Sequence, residues 1–334
     1  MRSAIYLLLA LTILSGCRRH KKHAPVVVSA PAPTTTSAAA DDTSDTDTTE
    51  ALAKGFRLHS AGCDAGTSAD CISLGLDYEN GEGVPQDLTR AVAMFKAACD
   101  ASDPWGCYNL GVMYDEGHGV TQDRAKAFKL YTSSCAQDNR SACDNLGILY
   151  QNGTGVAKSD AMAAKHFQKS CDGDDQHGCA NLGFMYDMGR GVAKDEVKAT
   201  GLYRKACDDN EKTGCHNLAW NYEHGSGGVL IDVKHAGQLY EKACTAGKGD
   251  SCANLGKLTE EGTGRTMDST RAGELYQKGC DLNSGIACTN LGRLYERGDG
   301  VTLSRTKALS LFKQGCDLDD ADGCTRYTAL KRKP

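Results

Sequence analysis

Seventeen cysteines are the residues of this 334-residue chain with the most chemistry to offer. A thiol can pair, bind metal or attack, and its spacing and surroundings decide which. Sixteen of them fall into couples of one form, C-x7-C: Cys63 with Cys71, Cys99 with Cys107, Cys135 with Cys143, Cys171 with Cys179, Cys207 with Cys215, Cys244 with Cys252, Cys280 with Cys288 and Cys316 with Cys324. Successive couples start 36 residues apart, with one step of 37 between Cys207 and Cys244. The extra residue falls in Gly225-Ser226-Gly227-Gly228, a turn, where an insertion costs little. Zinc fits poorly, because C-x7-C is not a finger spacing and no histidine recurs beside the cysteines.

The remaining chemistry is sparse. Ser304-Arg305-Thr306-Lys307 and Ser310-Leu311-Phe312-Lys313 spell the S-x-x-K of serine β-lactamases, and Lys212-Thr213-Gly214 spells their K-T-G, but no S-D-N exists. The nine histidines form no H-x-H or H-E-x-x-H, and the Asp-rich stretch from Asp317 to Gly323 lacks the alternation of a calcium loop. No phosphate-cradling loop occurs. No metal or cofactor is expected, and an enzyme is the weaker reading. With 38 Lys+Arg against 43 Asp+Glu the net charge is −5, which offers a nucleic-acid backbone nothing.

The elements that position the cysteines can be read by laying the periods over one another. Cys179-Ala180-Asn181-Leu182-Gly183-Phe184-Met185-Tyr186 places Cys, Leu, Gly and Tyr at offsets 0, 3, 4 and 7, one face of a helix. A G-x-G-V turn follows, and Ala199, Leu202, Tyr203 and Ala206 repeat the same spacing in a second helix. Asp87, Asp123, Asp195, Asp232 and Asp268, with Ser159 and Ser304, stand where that second helix needs its N-cap. Gly at offset 4 lets the two helices approach. Ser304 is thereby a cap at one edge, while Lys212 lies in a cysteine loop at the other, too far for catalytic partners that must meet within about 3 Å.

A 36-residue hairpin cannot bury its apolar face alone, so the units must stack. Seven full repeats run from Cys71 to Cys316, with a half-repeat at each end, the last capped by Arg326, Thr328 and a basic tail. Each cysteine couple then joins the end of one second helix to the first turn of the next first helix. Those points are neighbours, so the expected bridges are local. This pattern resembles the Sel1-like repeat family, relatives of the tetratricopeptide solenoids, over about residues 52–330. It is similar in particular to the cysteine-rich Sel1 proteins first described from Helicobacter. The resemblance implies an all-α, right-handed α/α solenoid of stapled helix–turn–helix repeats, expected over residues 52–334. It also implies ligands that are peptides or protein surfaces on a concave side lined by first helices. The Helicobacter relatives are associated with penicillin binding and slow β-lactam hydrolysis, which makes a β-lactam-binding protein or weak β-lactamase the alternative. A mitochondrial assembly factor shares the motif, which makes a chaperone for cysteine-containing envelope proteins a third reading.

The unpaired Cys17 has its own context. Met1-Arg2 and the apolar run from Ala4 to Leu14 read as a signal peptide of residues 1–16, too short to span a bilayer. Leu14-Ser15-Gly16-Cys17 resembles a bacterial lipobox, which implies lipidation at Cys17 and, with Arg18 following, an outer-membrane address. Residues 17–51 are expected to be a lipid-anchored, disordered linker, poor in periodicity and rich in Ala, Pro, Ser, Thr and Asp. Its Arg18-Arg19-His20-Lys21-Lys22-His23 either touches anionic headgroups or is simply solvated.

Three rows on the first helices are candidates for contact with a ligand. Offset 5 reads Leu76, Val112, Ile148, Phe184, Trp220, Lys257 and Arg293. It suits a partner with a hydrophobic stretch and an acidic end, unless it packs repeat against repeat. Offset 2 reads Asn109, Asn145, Asn181, Asn217, Asn254 and Asn290, a carboxamide ladder that either holds a peptide backbone or satisfies its neighbours. Offset 8 is a nearly unbroken acidic row, Glu79, Asp115, Gln151, Asp187, Glu223, Glu260 and Glu296, either a charged groove rim or a solvated face. The expected function is a monomeric cell-envelope scaffold that binds a protein or peptide in its groove.

Overall fold

Each 36-residue period has room for two short helices, and a computed structural model, describing residues 45–332, folds it that way. The helices in order are α1 (Asp45–Asp64), α2 (Ser68–Asn80), α3 (Leu88–Asp100), α4 (Pro104–Glu116), α5 (Arg124–Ala136), α6 (Arg140–Asn152), α7 (Asp160–Asp172) and α8 (Gln176–Met188). They continue with α9 (Glu196–Asp208), α10 (Lys212–His224), α11 (Val233–Thr245), α12 (Gly249–Glu261), α13 (Ser269–Asp281), α14 (Gly285–Arg297), α15 (Arg305–Asp317) and α16 (Ala321–Arg332). Even-numbered helices are the first helices of the repeats and odd-numbered ones the second. No strand occurs among the described residues. The signal peptide, Cys17 and most of the expected linker lie outside them. Helix α1 begins at Asp45, so the last part of the stretch read as linker, 45–51, is helical.

Local chemistry sets the boundaries. Every expected cap on a second helix is made: the side chains of Asp87, Asp123, Ser159, Asp195, Asp232, Asp268 and Ser304 each accept the backbone N–H three residues on. First helices end on a left-handed glycine. The second glycine of each turn packs on the helix before it. A Cβ at Gly119 would lie 2.4 Å from the Leu88 carbonyl oxygen, so no other residue fits there.

The core repeats with the sequence. In six repeats an aromatic residue of the second helix packs directly on the offset-4 glycine. A methyl at Gly75, Gly111, Gly147, Gly183, Gly256 or Gly292 would fall 2.5 to 2.7 Å from the ring of Phe95, Tyr131, Phe167, Tyr203, Tyr276 or Phe312. The fifth repeat has Ala219 there, with Tyr240 buried in the same core.

All eight expected disulfides are present, each between the end of a second helix and the first turn of the next first helix. Cys63 bonds to Cys71, Cys99 to Cys107, Cys135 to Cys143 and Cys171 to Cys179. Further along, Cys207 bonds to Cys215, Cys244 to Cys252, Cys280 to Cys288 and Cys316 to Cys324. Their Cα–Cα distances are 4.4 to 4.8 Å, so the bridges are local, as the spacing requires. Each closes a loop worth about 2.5 kcal/mol in the chain-entropy account. Lysines add a second stitch between repeats. Lys169 and Lys205 donate to the carbonyls of Cys135 and Cys171, 2.7 and 2.9 Å away, in the preceding repeat. At the C-terminal end, Arg326 pairs with Asp322 and lies 5.8 Å over the Phe312 ring, covering the last exposed face of the stack.

Candidate binding groove

The first helices are the inner ones. α2 packs on α4, α6 on α8, α8 on α10, α12 on α14 and α14 on α16, while no two successive second helices approach as closely among the described residues. The stack therefore curves with its first helices on the concave side. At 100° per residue, offsets 0, 3, 4 and 7 face the second helix, and offsets 2, 5 and 9 face outward into the groove. Offsets 1 and 8 point along the stack, toward a neighbouring repeat.

The offset-5 row divides. Leu76, Val112, Ile148 and Phe184 are half-buried and pack against the core clusters, so the row does help join repeats. Trp220 stands out at 41% exposed. It stacks on His224, with centroids 4.2 Å apart. The Arg190 guanidinium lies 5.9 Å over the Phe184 ring. Lys257 is exposed, and Arg293 donates to Asn290 at 3.3 Å. Sequence reasoning missed offset 9, one turn beyond offset 5, which supplies His224 and the exposed Met188. The i, i+4 rule applied to Phe184 and Trp220 would have found both. Phe184 and Met188 on α8 and Trp220 and His224 on α10 thus occupy the same two offsets of adjoining first helices.

The asparagine ladder is largely engaged by the protein itself. Asn145 is buried at 8% exposure, beside the hydroxyls of Tyr108 and Tyr131. Asn217 and Asn254 meet the hydroxyls of Tyr203 and Tyr240, each on the adjoining second helix. Asn181 donates to Asp144 at 2.8 Å. Asn109 is half-buried, as Asn290 is. Asn145, Asn181, Asn217 and Asn254 thus meet polar groups of the fold itself, the second of the two roles expected for the row.

Nor is the acidic row a solvated face. All seven residues are half-buried. Glu223 and Glu260 accept the hydroxyl protons of Tyr240 and Tyr276, each at 2.7 Å. Asp115 pairs with Arg124 at 3.2 Å, and Gln151 reaches the Met185 sulfur at 3.5 Å. Burial raises the carboxyls of Glu79 and Asp115 above their ordinary values. The row ties first helices to second and leaves a weakened negative rim.

One charge cluster has no counterpart in the other repeats. Asp144, 2% exposed, sits at offset 1, near Asp175, Glu211 and His177. Burial first, then the Asp175 carboxylate, push its pKa up to about 7. Burial also opposes ionisation of Glu211, yet its pKa is lowered, because His177 and the N–H groups of Thr213 and Gly214 more than compensate. His177 is raised in turn, chiefly by its contact with Glu211. Asp175 and Glu211 are also N-caps of first helices, as are Asp103, Asn139 and Ser284, a set the sequence reading passed over.

The β-lactam alternative gains no support. Ser304 spends its hydroxyl on the Lys307 N–H as the cap of α15, and Lys212 opens α10. Two clefts, of about 300 and 490 Å³, lie against second helices α11 and α13, lined in part by Arg265, Arg271, Glu274 and Tyr295, and neither Ser304 nor Lys212 lines them. Among the described residues no group of three His, Cys, Asp or Glu side chains is placed to hold a metal.

The family model of the Sel1 repeat matches residues 69–103, 106–139, 140–175, 176–211, 213–248, 249–284 and 285–320. No curated protein matches the chain by sequence. Among solved structures it is similar to a protective antigen of uropathogenic Escherichia coli with an SLR fold, at 28% identity and a TM-score of 0.63, covering 86% of this chain and 65% of that one. The chain thus spans less than two thirds of that antigen. A Sel1 repeat protein from Oxalobacter formigenes aligns at 22% identity and a TM-score of 0.63, over 84% of this chain and 81% of that one. Helicobacter pylori cysteine rich protein B aligns at 33% identity and a TM-score of 0.33, over 40% of this chain and 94% of that one.

Proposed function

Because the chain belongs to the Sel1 repeat family, we propose that it is an envelope scaffold holding another protein or peptide in the groove of its first helices. One observation carries this reading: exposed Met188, Trp220 and His224, beside a half-buried Phe184, on the inner side of a stack locked by disulfides. Apolar and aromatic side chains held rigid before contact lose little entropy on docking. Buried aromatic anchors are also where binding energy concentrates. The ligand is an extended or helical segment, apolar over α8 and α10 and acidic where it meets Lys257 and Arg293 further along the row. Eight disulfides suit an oxidising compartment. Within that compartment, we read residues 1–16 as the signal peptide, lipidated Cys17 as the anchor in the outer membrane and the following linker as the tether.

Site-specific photo-cross-linking in the living cell tests the groove. A photoreactive residue at Trp220 is expected to capture one defined envelope protein, while the same residue at Gln277, on second helix α13, captures none. Equal capture at both sites would sink the groove reading. Cys17→Ala, expected to move the protein from the membrane to the soluble fraction, tests the anchor separately.

A further inference from the structure

Seven turns join first helices to second along one edge of the stack, and one residue stands at the tip of each, just before the capping Asp or Ser. In chain order these are Gln86, Gln122, Lys158, Lys194, Ile231, Met267 and Leu303. The first four are polar and the last three apolar. Lys194 pairs with Glu196, and Gln86 donates to the Glu79 carbonyl at 2.7 Å and Gln122 to the Asp115 carbonyl at 2.6 Å, closing the end of a first helix. Ile231, Met267 and Leu303 forgo that bond and bury little in exchange, being 66%, 69% and 64% exposed. Leu230, in the turn lengthened by the one inserted residue, is 88% exposed. Packing therefore does not account for these side chains.

Their arrangement narrows the partner. Equivalent points on stacked repeats lie about 10 Å apart, so three tips span about 20 Å. They protrude singly from turns, Met267 beside a cleft that Arg265 and Arg271 also line, which suits a soft surface that can flow between them better than a close-packed protein face. Lys234, exposed in the first helical turn behind the Ile231 tip, is placed for an anionic headgroup, while Arg305 donates to the Leu330 carbonyl at 2.9 Å and the Lys307 ammonium lies 4.9 Å over the Tyr295 ring. Of the acids nearby, Asp232 and Asp268 accept cap bonds, and Glu261 and Asp299 are exposed.

The chain also enters at this edge. A Cβ at Gly83 would meet the Leu52 carbonyl oxygen at 2.4 Å, as one at Gly119 meets that of Leu88. Residue 52 therefore marks the turn edge on α1, and residues 45–51 carry that helix about 10 Å beyond it. We infer that Leu230, Ile231, Met267 and Leu303 are a second, shallow contact with a lipid bilayer, on the edge of the solenoid from which its tether leaves. The helices then stand end-on to the membrane and the groove opens sideways, along its surface. This orientation rests on the anchor reading; the bilayer contact itself does not.

The test removes the acyl chain. Residues 45–332 contain the whole stapled stack, so the chain from Arg18 onward, exported behind an ordinary cleavable signal, folds without Cys17. It is mixed with vesicles of phosphatidylethanolamine and phosphatidylglycerol and sedimented. The triple variant Ile231→Gln, Met267→Gln, Leu303→Gln restores the residue found at Gln86 and Gln122, and its thermal melt is expected to match the parent. Its partition onto vesicles is expected to fall about tenfold or more. Unchanged partition overturns the inference. So does a parent that ignores vesicles but self-associates through the ridge, which would make it a protein contact. Cys17→Ala combined with the triple variant, if it still fails to leave the membrane in cells, would sink the anchor and leave the vesicle result standing.

Discussion

Asp144→Asn is expected to make this protein more stable at pH 8 and leave it unchanged at pH 4. In the other repeats offset 1 is Ile72, Tyr108, Ala180, His216, Ala253 and Thr289, never a carboxylate. Here a carboxyl group 2% exposed ionises near pH 7 instead of at the ordinary 3.8. The folded chain therefore keeps a proton between about pH 4 and pH 7 that the unfolded chain has already released. Stability is complete below the unfolded pKa, falls as pH rises through that window and levels off above pH 7. A shift of that size at about 1.4 kcal/mol per unit gives an upper limit of roughly 4 kcal/mol.

The asparagine keeps the volume and can still accept from Asn181, whose carboxamide now holds Asp144 at 2.8 Å. His177 is raised by Glu211 and, to a smaller extent, by Asp144, so its own contribution also fades with rising pH and weakens slightly in the variant. The difference between variant and parent isolates Asp144. Urea denaturation followed by circular dichroism, with the disulfides intact, supplies the measurement. The gap is expected to open from a few tenths of a kcal/mol at pH 4 to several at pH 8. A variant no more stable than the parent at pH 8, or a gap that does not change with pH, would refute the reasoning.

Glycine offers a prediction with two signs. Gly183→Ala puts a methyl 2.7 Å from the Tyr203 ring and should cost about 1–3 kcal/mol, less the ~1 kcal/mol that alanine adds to a helix. Gly201→Ala, in α9 with nothing within 4 Å, should gain that ~1 kcal/mol outright; equal melting shifts in the two variants would disprove the contact. Replacing Cys171 and Cys179 together by alanine should cost about 2.5 kcal/mol in denaturant and bring unfolding of the stack's two halves apart, and a single unshifted transition would contradict the staple. Trp220→Ala, removing a side chain 41% exposed, should leave the melt nearly unchanged while partner capture at a photoreactive residue placed at Phe184 falls about tenfold or more.

What could be read in advance was whatever recurs. Offsets 0, 3, 4 and 7 mark the buried face because periodicity reports azimuth on a helix, and the caps at Asp87 to Ser304 follow a fixed step. The caps of the first helices escaped notice because Asp103, Asn139, Asp175, Glu211 and Ser284 differ in type and sit inside the cysteine loops, where polar residues look like ordinary loop. Periodicity also says nothing of what a side chain meets across a helix pair. The acidic row could be understood only once Tyr240 and Tyr276 were seen to donate to Glu223 and Glu260. Asn145, Asn217 and Asn254, likewise, meet tyrosine hydroxyls. In a stack of near-identical units, uniform positions are those the fold requires of every repeat. Recognition must then lie where uniformity fails and burial does not explain the change. By that criterion the asparagine ladder is the weakest site and Asp144 is a strained exception within the core. Trp220 with His224, on the inner face, and Ile231 with Met267 and Leu303, on the turn edge, are among the departures that face solvent, as Trp105 and Ile286 also do.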